Sequence, residues 1–219
     1  MLTKLQPQRF YNVHMEPSIS DVEPKRIIEH ADSAGATQTA RMRSFDRNAP
    51  AGAPIRPTMG FMLAHPAHCI ALGFGSGLGR MAPGTVGTLW GWLAFLVLSM
   101  WCTPAQMGWL IAAAIPVGWW ACTVTAKHMR VADPGHIVWD EIVAIWIVLW
   151  LAMPMGFWGQ LIAFLLFRFF DAAKPQPVKW ADRLFKGFGW KGGWGIMFDD
   201  LVAAFCTLLV IAVWRHLFF

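Results

Sequence analysis

Between residues 58 and 219 the chain alternates apolar stretches with two kinds of link, and the placement of charge in those links restricts the fold more than any other feature. Apolar segments lie at roughly 85–101, 108–126, 142–153, 158–170 and 200–214. The links 101–107 (WCTPAQM) and 153–159 (MPMGFWG) carry no charge, whereas 127–141 and 171–200 carry nearly all of it. No segment exceeds 19 residues, at or below the ~20 that a spanning helix uses, so some are expected to tilt, to end in the interface or to pack as buried core helices. Composition points the same way: 56% hydrophobic residues, mean hydropathy +0.44 and 14 Trp in 219 residues exceed what a soluble domain carries. The expected fold is all-α, an integral membrane bundle of about five apolar helices. Arg80, Lys127, Arg130, Lys174, Lys179, Arg183, Lys186 and Lys191 flank the apolar segments, and the positive-inside rule puts the charged links on the cytoplasmic side.

Residues 1–57 differ in kind. They hold eight Lys/Arg, six Asp/Glu and no Trp, with no sustained helical or strand period, and read as a polar, disordered extension ahead of a membrane-embedded domain at 58–219. Their start has no continuous apolar core of the secretory type. The net charge of +5 sits beside apolar segments and forms no nucleic-acid motif, so anionic lipid head groups, not nucleic acid, are the expected partners. Cys69, Cys102, Cys122 and Cys206 form no CxxC pair and no metal spacing, and read as free thiols.

Seven acids remain after residue 57, and six fall in three short runs. In DPGHIVWDE (133–141), Asp133 ahead of Pro134 suits a helix N-cap, which would place Asp140 and Glu141 two turns into that helix. In FRFFDAAKP (167–175), Arg168, Asp171 and Lys174 are spaced three apart, either as a self-neutralising ladder or as a charged site. In GIMFDDLVAAF (195–205), Asp199 and Asp200 stand where the last apolar helix begins, and either complement its dipole or act as ligands. Together Asp140, Glu141, Asp171, Asp199 and Asp200 offer hard oxygen ligands on one membrane face, the donor type that suits Mg²⁺ when phosphate and water complete its shell. Arg168 and Lys174 beside them can bind phosphate oxygens and stabilise charge that grows in phosphoryl transfer.

The stretch GFGSGLGRMAPGTVGTLWG (73–91) interleaves glycines with Ser76, Thr85 and Thr88 and carries Arg80. Its amides and hydroxyls can line an anion-binding concavity ahead of a helix, with Gly84, Thr85, Thr88 and Arg80 as substrate-binding candidates. It matches neither a Walker loop nor GxGxxG, and close helix packing in a membrane also selects glycine.

These four motifs, GFGSGLGRMAPGTVGTLWG, DPGHIVWDEIVA, FRFFDAAKPQPVKWADR and GGWGIMFDDLVAA, resemble in order and style the phosphatidylglycerophosphatase A family over roughly residues 70–205. The resemblance implies a Mg²⁺-dependent helical membrane phosphatase that hydrolyses phosphatidylglycerophosphate to phosphatidylglycerol and inorganic phosphate in a bacterial inner membrane. By position, the family's motif residues fall on Asp133, Asp140, Glu141, Arg168, Asp171, Lys174, Asp199 and Asp200, with Pro83, Gly84 and Thr85 in the first motif. The extension at 1–57 and the longer approach KGFGWKGGWG (186–195) depart from the pattern without touching a chemical group. Arg168, Lys174, Asp171 and Asp140 are then the expected catalytic set, and His136 a packing or surface residue. Contexts for a covalent nucleophile (DxDxT, CxxxxxR) are missing. The competing class is a small membrane transporter for a cation or lipid, which places its acids near the bilayer midplane; the oligomeric state is left open.

Overall fold

The computed structural model describes residues 53–218, and those residues are helical, with no strand among them. Two short helices, α1 (Met59–Leu63) and α2 (Pro66–Ala71), lead into a 3-10 segment, Gly73–Leu78. Five longer helices follow: α3 (Pro83–Ser99), α4 (Pro104–Met129), α5 (Trp139–Ala152), α6 (Phe157–Ala173) and α8 (Trp190–Phe218), with the short α7 (Val178–Leu184) between the last two. The expected extension at 1–57 falls largely on residues 1–52, outside the described residues. Of its remainder, Ile55 is buried among Phe61, Met62, Leu72 and Met129 and donates its amide to the Met129 carbonyl at 3.0 Å.

Local sequence sets the helix ends. Pro83 and Pro104 open α3 and α4 at positions where the missing N–H costs nothing. A capping box completes α4: Gln106 N–H donates to Thr103 Oγ1 at 3.3 Å and Thr103 N–H to Gln106 Oε1 at 2.9 Å. Left-handed Arg130 ends α4, and left-handed Lys174 followed by Pro175 ends α6.

The centre of the bundle is α5, buried on almost every side and packed against α3, α4, α6 and α8. A helix apolar all round belongs in a core. At 14 residues it is ~21 Å long, too short to cross a ~30 Å hydrocarbon layer by itself. Among the described residues, only α4 and α8, of 26 and 29 residues, are long and apolar enough to cross a membrane. The five apolar segments of the sequence thus correspond to five helices, but two, not five, have the dimensions of a span. The outer faces of α3 (Leu89, Leu93), α6 (Ile162, Leu165) and α8 (Phe205, Leu209) expose large apolar side chains, an arrangement that water does not favour.

Much of the tryptophan content ties helices together. Indole N–H groups run from Trp146 to the Gly91 carbonyl at 2.8 Å, from Trp139 to the Ala114 carbonyl at 3.1 Å, from Trp150 to the Pro104 carbonyl at 2.8 Å and from Trp92 to Gln160 Oε1 at 2.8 Å. Those from Trp146, Trp139 and Trp92 satisfy donors that burial would otherwise leave unpaired.

Candidate active site

Four helices bring their charged residues to one end of the bundle. The sequence predicts a helix from Pro134 with Asp133 as its cap; instead residues 131–138 are irregular and α5 begins at Trp139. The loop is held open by contacts outside itself. Val138 N–H donates to the Ala71 carbonyl at 2.9 Å, His136 Nδ1 donates to the Gly77 carbonyl at 2.9 Å, and a Cβ on Gly77 would run into the His136 carbonyl. His136 is therefore a packing residue, and Asp133 is exposed. Asp140 and Glu141 accordingly lie in the first turn of α5, where the positive end of the dipole favours carboxylates.

The reading of Asp199 and Asp200 as the start of a helix is also corrected. The helix α8 runs unbroken from Trp190, so the pair lies in its third turn, beyond the reach of a dipole effect confined to the first turn. Gly193 makes this extension possible, because a Cβ there would lie 2.8 Å from Thr123 Cβ and 2.9 Å from Thr123 Cα where α8 crosses α4. Two buried carboxylates in mid-helix need another account.

That account is convergence. Carboxylate oxygens of Glu141, Asp171 and Asp200, all buried, lie within 4.8 Å of one another. Arg168, one turn before Asp171 on α6, donates from the same guanidinium nitrogen to Glu141 Oε1 at 2.9 Å and to Asp171 Oδ2, and reaches Thr88 Oγ1 at 3.4 Å. Thr88 itself donates to the Gly84 carbonyl at 2.8 Å. Of the four buried carboxylates gathered here, Asp140 included, Arg168 thus bonds two, Glu141 and Asp171. Asp140 Oδ1, Glu141 Oε2 and Asp200 Oδ2 have no hydrogen-bond partner. Buried, unpartnered carboxylate oxygens are costly unless a cation completes the set. The residues present therefore fit a hard divalent cation, which Glu141, Asp171 and Asp200 would hold.

Two expected ligands stand apart. Asp199 is one residue from Asp200, which on a helix turns its side chain by ~100°, and its Oδ2 accepts from Lys174 Nζ at 2.6 Å. Asp140 is buried beside the three converging acids but is not one of them. Lys174 also donates to Asp182 Oδ1 at 2.7 Å, and Asp182 Oδ2 accepts from Lys186 Nζ at 2.8 Å. Burial works against the Lys174 ammonium, but its bonds to Asp182 and Asp199 outweigh this and lift its pKa above the ordinary lysine value. Burial likewise opposes ionisation of Asp182, yet the hydrogen bonds from Lys174 and Lys186 hold its carboxyl below the usual range. Asp182 is the functional candidate that sequence reasoning missed; the spacing of four to Lys186 was its one legible signal.

The glycine-rich stretch divides in two. The first half, Gly73–Leu78, packs against α5: a Cβ on Gly73 would lie 2.8 Å from both Val138 Cγ2 and Ile142 Cδ1. Its glycines serve close packing there. In the second half, a Cβ on Gly84 would collide with Glu141 Oε1, so the absence of a side chain lets the N-terminus of α3 reach the acids. Thr88 is buried at the site, Thr85 is exposed, and Arg80 is exposed with no ion pair among the described residues.

The described site lies wholly within a stretch that comparison with known proteins also singles out. The family described as phosphatidylglycerophosphatase A matches residues 69–215. The Escherichia coli protein named phosphatidylglycerophosphatase A is 40% identical over 64% of this chain and 78% of its own length. The Haemophilus influenzae protein of the same name is 38% identical over 71% of this chain and 92% of its own. A Bacteroides thetaiotaomicron protein provisionally named phosphatidylinositol-3-phosphatase is 36% identical over 67% of this chain and 91% of its own. No solved structure matches the chain. With its acid cluster, its Arg168 and its Gly84 all inside the matched residues, the chain belongs to the phosphatidylglycerophosphatase A family.

Proposed function

We propose that this protein is a Mg²⁺-dependent phosphatase of the bacterial inner membrane that hydrolyses phosphatidylglycerophosphate to phosphatidylglycerol and inorganic phosphate, with its site on the cytoplasmic face. The observation that carries the reading is the convergence of Glu141, Asp171 and Asp200 beside Arg168, with carboxylate oxygens left unpartnered. The names of the relatives supply the substrate class.

In this reading Glu141, Asp171 and Asp200 hold the cation. When bound, Mg²⁺ would supply Lewis acidity toward the terminal phosphate and the attacking water. Arg168, already oriented by Glu141 and Asp171, turns its remaining donors to the phosphate, and Lys174 adds a point charge from the other side. The first-turn amides of α3 approach through the gap left by Gly84. Asp140, which retains an unpartnered oxygen, takes up the proton of the attacking water as the new P–O bond forms and the bond to the glycerol oxygen breaks, and that oxygen leaves as the alcohol with a proton from solvent water. The acyl chains stay in the bilayer against the apolar outer faces of the helices.

The test is phosphate release by the purified chain from phosphatidylglycerophosphate, phosphatidic acid, phosphatidylinositol 3-phosphate and a soluble phosphate ester, with and without EDTA. The expected result is a preference for phosphatidylglycerophosphate that EDTA abolishes and Mg²⁺ restores. Asp171→Asn and Asp200→Asn should lower the rate by about 10²-fold or more while leaving thermal stability unchanged or raised, since each relieves a crowd of like charge. Near-normal rates and unaltered Mg²⁺ dependence in both variants would refute the proposed centre and return attention to transport.

A further inference from the structure

We propose that Asp182 is a positioning residue for the phosphate-binding lysine: from α7 it anchors Lys174 so that one ammonium donor stays directed to the substrate phosphate. This rests on the phosphatase reading above. An ammonium has three N–H donors. Asp182 takes one at 2.7 Å and Asp199 another at 2.6 Å, which leaves the third for an incoming phosphate without breaking either bond. Lysine is a flexible point charge on a four-carbon stem, and two acceptors fix what one would leave swinging.

The geometry separates this role from ordinary stabilisation. The Lys174 side chain is 33% exposed, so solvent screening discounts what its ion pairs contribute to folding. Nor does α7 need the ion pair to stay in place, since Val178 and Ala181 bury it completely on its inner side. Charge along the chain of contacts is balanced: Lys186, largely exposed, meets Asp182, then Lys174, then buried Asp199. Asp182 thus keeps a cation on each oxygen, and its hold on Lys174 adds no unpaired charge beside the acid centre. Asp182 and Asp199, the two acceptors that hold Lys174, also line one small cleft of about 50 Å³ with Lys186, Gly192 and Gly195.

The experiment uses the full chain in detergent with phosphatidylglycerophosphate as substrate and inorganic phosphate as probe. Asp182→Asn should lower kcat by about tenfold or more, with a half-saturating Mg²⁺ concentration within about twofold of wild type, because a positioning residue acts on the transition state and not on the cation. Inorganic phosphate should raise the melting temperature of the wild type and fail to raise that of Asp182→Asn. Asp182→Glu, which keeps the charge and displaces it by one methylene, should fall between the two in kcat. A kcat for Asp182→Asn within about twofold of wild type, or an undiminished response to phosphate, would overturn the inference. Should Asp182→Asn not fold, Asp182→Glu decides alone: a kcat within about twofold of wild type overturns the proposal, and a larger fall with the melting temperature retained upholds it. A wild type that releases no phosphate refutes the phosphatase reading; an active wild type with an equally active Asp182→Asn refutes only the role of Asp182.

Discussion

A glycine at position 84 does what no other side chain could do there. The N-terminus of α3 meets the Glu141 carboxylate so closely that a methyl group would displace it, and Glu141 is tied through Arg168 to Asp171. Gly84→Ala should therefore cost catalysis more than stability: kcat/KM is expected to fall by about 10²-fold, since a misplacement of about 1 Å at a preorganised centre has that effect. Gly135→Ala, at a site with nothing within 4 Å, is the control and should remain near wild type. Steady-state kinetics on both variants, with thermal unfolding of the same preparations, checks the pair. At the same scale, one helical step separates Asp200, aimed at Glu141 and Asp171, from Asp199, committed to Lys174. Adjacent identical residues take different tasks because a helix points them ~100° apart.

Helix crossings depend on the same economy of volume. Where α8 passes α4, Gly193 lies against Thr123, and Gly193→Ala would press a methyl group to within 2.9 Å of backbone. The expected loss is about 1–3 kcal/mol of unfolding free energy, from overpacking, read as a lowered melting temperature. A second element-scale contact is pH-sensitive. Between α2 and α4, buried His68 donates from Nδ1 to the Phe61 carbonyl at 2.8 Å and accepts at Nε2 from His128 Nδ1 at 2.8 Å, a pattern that requires a neutral ring. Burial pushes its pKa from 6.5 down to about 4; the Phe61 carbonyl opposes this, while His128 and His65 add to it. Between those values the unfolded chain binds a proton that the folded chain refuses, so this contribution is fully present above pH 6.5 and is lost as the pH falls toward 4. Melting curves from pH 7 to 4.5 should show a steeper fall for wild type than for His68→Asn.

Across the whole molecule, the first turn of α3, the first turn of α5, the end of α6 and the third turn of α8 meet at one end of the bundle. The ten residues of α8 ahead of Asp200 extend past that level by ~15 Å, so a mid-helix position in sequence is still an end position in space. If the proposed orientation holds, cysteine labelling in intact vesicles should reach positions 127–138 and 174–191 from the cytoplasmic side and 101–103 from the other. Labelling of the two charged links from opposite faces would separate residues that the structure holds in contact.

The amino-acid sequence by itself determined the helical class, the positions of five helices to within a few residues except at the starts of α5 and α8, and the family. Apolar segments, prolines and conspicuous acid runs are local signals, and they act through local physics. It also named Asp140, Glu141, Arg168, Asp171, Lys174, Asp199 and Asp200 as one constellation, because charge in so apolar a chain has few other uses. Three matters were decided only by the tertiary structure. The helix expected at Pro134 starts at Trp139 because Gly77 and Ala71, remote in sequence, capture the preceding loop. The last helix begins at Trp190 because its glycines find a close partner in α4. The division of labour among the acids, with Asp182 drawn in and Asp199 turned away, follows from which helix each one faces. Facing is a property of packing: residues 27 to 59 positions apart become neighbours at Glu141, Arg168 and Asp200, and no window on the sequence spans that distance.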